Sequence, residues 1–441
     1  MLKRFLANKT ARNAGWLISG KVVQMVINLL VGLLTARYLG PSGYGLINYA
    51  AAYTGFFTAF CTLGINSVLV KEFVDNRGRE GEILGTSLVL RALSSFLSAI
   101  TIISIVSIVD RNEPTTILVV ALCSIGVVFH VFEVFHYWFQ SRLASKTSAI
   151  CTLAAYIVTA AYRVVLLVLG AEVEWFALAT SVDYICLAVL LLLAYRKHQG
   201  GALRVSLPYA RTLLSKSCHF ILSSLMVAVY VQTDKIMLKQ MVGEAEVGYY
   251  ATASTTAVVW CFILQAIVDS CYPGIAQAYS SDREEFKRRC RQLYAIIFYV
   301  SVTASLLYTL LARPLIRIMY GEAYLPAVAP LRIVTWYTAF SYLGVARNSW
   351  VVCENRQRYL KYVYAAAAVA NVALNFLLIP PFGAVGAAVA SLVAQVVTTM
   401  VAPFFIRGMR ENSVMMVEAI LLRGVFRTSD QKNPKTAHKS E

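Results

Sequence analysis

The chain has 441 residues, of which 58% are hydrophobic and 14% charged. A soluble domain carries about 25% charged residues, so this composition, with a mean hydropathy of +0.63, excludes one and indicates an integral membrane protein. The formal net charge of +17 suggests nucleic acid only until the charges are placed along the chain.

The basic N-terminus, MLKRFLANKTARN, runs into an apolar stretch of more than 20 residues with no A-x-A-like site. It reads as a first span and not as a cleaved signal peptide. A bilayer core needs about 20 apolar residues per helix. Apolar runs between charged or Gly/Pro breaks predict spans over 15–37, 44–66, 83–109, 115–139, 147–169 and 174–194, then 216–240, 248–279, 292–312, 328–353, 359–380 and 384–407. The runs 83–109 and 248–279 exceed what a span needs, and Pro273-Gly274 is expected to kink the second or end it early. The reading is therefore an all-α polytopic membrane protein with about twelve transmembrane helices. They form an N-terminal six-helix lobe (1–195), a linker (196–215), a C-terminal six-helix lobe (216–407) and a tail (408–441). Within the tail, Val414–Phe426 has the pattern of an amphipathic helix on the inner membrane surface, and the ending TSDQKNPKTAHKSE predicts disorder.

A Gly-rich cassette opens each half. Thr35–Ala50, TARYLGPSGYGLINYA, returns as Leu238–Ala253, LKQMVGEAEVGYYATA. At an offset of 203 residues Gly40 falls on Gly243, Gly45 on Gly248 and Ala50 on Ala253. Two similar halves in tandem account for this, and the four glycines are expected to be structural turns.

With the N-terminus inside, the inner segments hold 29 of the 40 Lys+Arg, the outer loops five, and the spans six. This positive-inside split puts both termini in the cytoplasm. The net charge is then a cytoplasmic rim, with no nucleic-acid partner implied.

A charge at the bilayer centre costs about 3 kcal/mol or more, so polar residues inside spans are informative. Lys21, Gln24, Asn28 and Thr35 share one helical stripe, as do Thr152, Tyr156, Thr159 and Arg163. His219, Ser223, Tyr230 and Asp234 form a third, and Asn371 and Asn375 share a face. Such stripes either join helices or line a wet cavity; four of them, three with an ionisable group, favour the cavity. Lys21, Arg91 and Arg347 all lie roughly 9–12 Å in from the cytoplasmic side, with Glu133 at a similar depth. Arg163 and Asp183 lie on neighbouring helices and suit an internal ion pair. Arg332 and Lys239 are close enough to the outer surface to need no special account. The embedded acids Glu133, Asp183, Asp234 and Asp269 are candidates for ion coupling; for Asp234 a packing role is the alternative.

No catalytic constellation is present. The sequence lacks G-x-x-x-x-G-K-[ST] and G-x-S-x-G, and His130 and His136 are six apart, which does not suit a helical metal pair. The nine cysteines are single, with no C-x-x-C. Neither cofactor nor metal is expected, and the histidines read as structural.

ARYLGPSGYG after a polar-striped first helix resembles the polysaccharide flippases, the Wzx or O-antigen transporter type, of the multidrug/oligosaccharidyl-lipid/polysaccharide exporter superfamily. Asp234-Lys235-Ile236-Met237-Leu238 followed by Val247-Gly248-Tyr249-Tyr250-Ala251, Tyr137-Trp138-Phe139-Gln140, and Asn371-Val372-Ala373-Leu374-Asn375 through Pro380, Gly383 and Gly386-Ala387-Ala388 are similar to further parts of that family. The resemblance implies two lobes in an inverted V around a central cavity, and cargo consisting of oligosaccharide on undecaprenyl pyrophosphate. It also implies cationic groups to hold the pyrophosphate, a role that suits Lys21, Arg91, Arg163 and Arg347, with Gln24, Asn28, Asn371 and Asn375 as further cavity residues for pyrophosphate or sugar. A polysaccharide polymerase and a chain-length regulator are the implied protein partners, and membrane lipid the surroundings. The alternatives are a multidrug or toxin exporter of the same superfamily, whose cationic cargo calls for an acidic cavity, and a polysaccharide polymerase or ligase. The latter calls for a sizeable outer loop rich in Arg and His; the outer loops here are short.

Overall fold

The computed structural model describes residues 9–198 and 200–425, and their side chains except those of residues 9–19, 21, 22, 67, 219, 220 and 223. Among the described residues there is no strand. The helices are α1 (Lys9–Thr62), α2 (Asn66–Asp75), α3 (Glu80–Val109), α4 (Pro114–Phe129), α5 (Val134–Ser141), α6 (Ser145–Leu169), α7 (Val173–Lys197) and α8 (Leu207–Met241). They continue with α9 (Glu244–Val258), α10 (Phe262–Ser281), α11 (Arg283–Tyr320), α12 (Val328–Cys353), α13 (Leu360–Val396), α14 (Ala402–Phe405) and α15 (Arg410–Ile420).

Eight helical stretches among the described residues are long and apolar enough to cross a membrane. Two of them hold two passes each, because α1 breaks at Gly40 (φ 67°) and α13 at Gly383 (φ 54°). The less apolar α8 and α12 supply the other two of twelve. A helix satisfies all its own backbone groups, which is what lipid requires. Phe96, Leu97, Leu310, Val369, Phe376 and Leu377 are exposed, as lipid-facing side chains are. Lipid gives apolar helices no gain from packing together, so small residues that allow close approach hold them. The last two spans show this: Gly386, Ala387, Ala388, Ala390, Ser391 and Ala394 are all buried.

By contact the chain divides into two compact units, Met1–Gly248 with Met319–Tyr324, and Tyr249–Ile318 with Leu325–Glu441. The linker belongs to the first. Its Arg204 N–H donates to the Gly81 carbonyl and its Ser206 N–H to Thr86 Oγ1, both at 3.1 Å. Gly81 and Gly85 make room for it: a Cβ on either would come within 2.3 Å and 2.4 Å of the carbonyls of Ala202 and Arg204. At the same end, Lys216 Nζ lies 2.6 Å from Glu72 Oε1 and the Tyr209 hydroxyl donates to Oε2 at 2.8 Å. Burial opposes the Glu72 charge, but Lys216 and Tyr209 outweigh it and hold the carboxyl below its ordinary value. Trp138 of the Tyr-Trp-Phe-Gln stretch is fully buried and donates to Glu80 Oε2 at 2.9 Å, and Arg142 reaches the same oxygen at 2.5 Å.

The two glycine cassettes meet within the first unit. Gly40 and Gly243 (φ 133°) both adopt positive φ, open to glycine at little cost. A Cβ on Gly45 would lie 1.9 Å from the Glu244 carbonyl, and one on Gly248 would lie 2.1 Å from that of Pro41. The five-residue spacing thus serves one turn plus one crossing, in both copies.

Three expectations change. Pro273 does not break its helix. The interruption is a 3-10 turn at Val259–Cys261, while α10 continues through Pro273, and Arg289 Nη1 donates to the neighbouring Gly274 carbonyl at 2.8 Å. The helix placed at Val414–Phe426 is α15, and its Met415, Met416 and Ala419 are buried in the core of the second unit with Tyr294 and Trp350. Its acids pair with α11: Glu418 with Arg291 at 2.7 Å and Glu411 with Lys287 at 3.2 Å. Phe426 and the rest of the tail lie outside the described residues. Lys239, finally, is buried and bonds to Asp110 Oδ1 at 2.9 Å and to Glu113. Gln240 Nε2 donates to the Tyr49 hydroxyl at 2.6 Å and to Asp110 Oδ1 at 2.8 Å, and Tyr49 donates to Asp110 Oδ2 at 2.7 Å. The Lys239 ammonium holds the Glu113 carboxyl below its ordinary value. Two acids from the α3–α4 turn explain what depth alone left unexamined.

Candidate functional site

In the first unit α1, α5 and α6 enclose a cleft of about 200 Å³ lined by Gly20, Gln24, His136, Ser148, Ala149, Thr152 and Leu153. The Ser148 and Thr152 hydroxyls donate back to the carbonyls of Ser145 and Ser148, both at 3.0 Å. Their lone pairs remain as acceptors. Among the described residues the Gln24 and His136 side chains have no hydrogen-bond partner in the protein. The cleft therefore offers an amide, an imidazole and two hydroxyl oxygens on an otherwise apolar wall. That set suits a hydroxyl-rich ligand, because such groups both donate and accept.

Further along α6, Thr159 is buried and donates to Asp183 Oδ1 at 3.2 Å. Arg163 is half-buried, and it makes no ion pair with Asp183 within 4.0 Å. The stripe is there, without the expected salt bridge.

A buried polar relay lies in the same unit. Arg91 is 0% exposed. Its Nη1 donates to Asn66 Oδ1 at 3.2 Å, and its Nη2 to His130 Nδ1 at 2.9 Å and to the His130 carbonyl at 3.2 Å. Arginine only donates, so His130 Nδ1 accepts and the neutral ring carries its proton on Nε2. That nitrogen lies 3.1 Å from Glu133 Oε2. His130–Glu133 is a 3-10 turn between α4 and α5, and the guanidinium takes one of the carbonyls there. Short 3-10 stretches inside helices mark strain or hinges.

Arg347 is the counterpart in the second unit, 1% exposed. Its Nη1 donates to the Thr398 carbonyl at 2.8 Å, within the π-turn Val397–Val401 that follows α13. Asn371 and Asn375 are buried and bonded to each other, Nδ2 to Oδ1 at 3.1 Å. Asp269 is exposed and accepts from Gln265 at 2.8 Å. In the first unit Asp234 is buried along with Tyr230 of its stripe; the side chains of His219 and Ser223, and of Lys21, lie outside the described residues. Asn28 is exposed.

The structure thus brings Gln24 and Thr152 to one cleft and leaves Arg91 and Arg347 enclosed in different units. Sequence reasoning missed His136. Glu133, His136 and Gln140 are spaced by three and four, the same periodicity used for the other stripes.

A family model described as "Polysaccharide biosynthesis protein" matches residues 10–279. The chain belongs to this family. A second model, described as MatE, matches residues 220–377. The capsular polysaccharide biosynthesis protein CapF of Staphylococcus aureus is 20% identical over 397 residues, covering 88% of this chain and 96% of its own. A putative O-antigen transporter of Escherichia coli strain K12 is 20% identical over 390 residues, covering 86% and 93%. Among solved structures, lipid II flippase MurJ in an inward closed conformation is similar with a TM-score of 0.67 at 13% identity, covering 92% of this chain and 91% of that one. That likeness extends to the fold. This member of the polysaccharide biosynthesis family is a multi-pass membrane protein, as the composition indicates.

Proposed function

We propose that the protein moves oligosaccharide repeat units, carried on undecaprenyl pyrophosphate, across the cytoplasmic membrane for assembly of a surface polysaccharide. The observation that carries this reading is family membership over 10–279, joined to a cleft in the same segment whose few polar groups suit sugar hydroxyls. The relatives named above as a capsular biosynthesis protein and an O-antigen transporter, each matched over most of both chains, support the choice of cargo. On this reading Gln24, His136 and Thr152 contact sugar, and Lys21, Asn28 and Arg163 lie along the path of the pyrophosphate. Arg91, Arg347, Asn371 and Asn375 act through packing, because their polar groups are enclosed. Glu133, Asp183 and Asp234 are the coupling candidates that are at least half-buried. The 29-to-5 distribution of basic residues supports cytoplasmic termini, and 1–195 and 216–407 act as the two lobes. Polymerase and chain-length regulator are the partners that would draw the product away.

The MatE match over 220–377 favours one second reading, export of a multidrug or toxin type. Reconstituted vesicles separate the two. A fluorescent diphosphate-linked oligosaccharide should cross with the protein present and be slowed by Gln24→Ala, whereas a lipophilic cation should not. Transport of the cation alone would transfer the assignment to the second reading.

A further inference from the structure

On the basic rim of the second unit, the turn between α12 and α13 holds a separate cleft of about 340 Å³ lined by Glu354, Asn355, Arg356, Gln357 and Arg358. Asn355 takes a left-handed conformation (φ 52°) that turns the chain there. The next residues are pinned. Tyr359 packs over Gly408, where a Cβ would lie 2.4 Å from the ring, so the segment carrying Arg407 and Arg410 is held beside the cleft. Arg358 Nη2 donates to the Tyr359 hydroxyl at 3.1 Å, and its guanidinium carbon stands 4.9 Å from the ring centre.

The charges around this cleft are not balanced. Among the described residues, Arg356, Arg358, Lys361, Arg407 and Arg410 form no ion pair. The carboxylate on the wall, Glu354, is bonded to Arg283. Glu411, the acid next to Arg410, is taken by Arg283 at 3.3 Å and Lys287 at 3.2 Å. A merely basic inner rim would not show this contrast: on the neighbouring α11, Arg288, Arg289 and Arg291 are each matched to Glu285 or Glu418. Two unmatched arginines lining the cleft on a tight turn, one of them bonded to Tyr359, with three further unmatched cations on the adjoining segments, make a site for a multiply charged oxyanion. The planar fork of arginine suits phosphate better than a point charge does.

We propose that this cleft binds the phosphate groups of a lipid and, resting on the reading above, that it receives the diphosphate of the cargo before translocation. The test uses the full chain in phosphatidylcholine nanodiscs, titrated with a polyprenyl diphosphate that carries no sugar. The Arg356→Gln/Arg358→Gln double variant should bind it about tenfold more weakly, with a flatter dependence on salt and an unchanged Tm. Arg407→Gln/Arg410→Gln, on the adjoining segment, should lose less. Inorganic pyrophosphate should compete with the probe, and phosphatidylglycerol at equal concentration should not. Unaltered affinity in both double variants would overturn the site. Competition by phosphatidylglycerol equal to that of the diphosphate would overturn the assignment to cargo. Translocation distinguishes this from the reading it rests on: a protein that binds the probe here but never flips diphosphate-linked sugar refutes the flippase and leaves the site. Wild-type flipping that both double variants retain at every cargo concentration refutes the site and leaves the flippase.

Discussion

Among the described residues Arg91 and Arg347 are the two least exposed cations, and each donates to a carbonyl where a helix departs from α geometry. Arg91 meets the 3-10 turn His130–Glu133; Arg347 meets the π-turn Val397–Val401. Their other surroundings differ. Arg91 is joined through His130 to the Glu133 carboxylate, whereas around Arg347 stand a backbone carbonyl and the neutral rings of Tyr294 and Tyr364. The first unit therefore sets its buried arginine against ionisable side chains, and the second sets its own against a carbonyl and neutral rings. Burial alone, which is nearly complete for both, does not separate the two; the partners do.

The largest effect is expected at Arg91. Arg91→Ala would leave Asn66 Oδ1, His130 Nδ1 and the His130 carbonyl without their donor, and with each unsatisfied buried group costing about 1–3 kcal/mol the loss should be about 3–5 kcal/mol. Arg347→Ala loses a donor to a neutral carbonyl and should cost about 1–3 kcal/mol. Thermal shift of the two purified variants measures the difference; an equal loss would deny that the relay distinguishes the units. Substitution by lysine sharpens it, since a single ammonium can serve Thr398 but cannot reproduce the Asn66 and His130 contacts together. Arg347→Lys should therefore recover more Tm than Arg91→Lys does.

The glycine crossing is a control from the same unit with no charge involved. Gly248→Ala forces a Cβ to within 2.1 Å of a backbone carbonyl and should cost about 1–3 kcal/mol, seen as a lowered Tm. Tolerance there would mean that the two cassettes separate readily. The smallest effect is expected at Glu72, whose partner Lys216 is half exposed, so Glu72→Gln should cost about 1 kcal/mol or less. The Glu72 carboxyl is held below its ordinary value, so its contribution is present above the unfolded pKa and lost as pH falls through the folded one. The Gln variant should match wild type in acid and fall below it near neutral pH, read as Tm against pH.

Periodic features were legible in the sequence. The twelve spans followed from apolar runs, the turns at Gly40 and Gly243 from the repeated cassette, and the cleft in part from the stripes containing Gln24 and Thr152; that the two cassettes cross was not legible. Features made by distant partners were not. Lys239 finds Asp110 across 129 positions, and Arg91 finds His130 across 39; a single chain gives no periodicity to such pairs. The Pro273 expectation failed because a proline removes one helical hydrogen bond while the rest of the helix remains paired. The tail helix was legible as amphipathic, but hydrophobic pattern does not say whether lipid or protein covers it, and Met415 and Met416 chose protein.

On the function proposed above, the cleft of Gln24, His136 and Thr152 handles the sugar of a diphosphate-linked lipid. The direct measurement is translocation of a fluorescent, undecaprenyl-diphosphate-linked oligosaccharide in proteoliposomes, read with a quencher that cannot cross the bilayer. Wild-type protein should make the probe of both leaflets accessible, and the Gln24→Ala/His136→Ala/Thr152→Ala triple variant should fail to do so at an unchanged Tm. Full translocation by that folded triple variant would contradict the account.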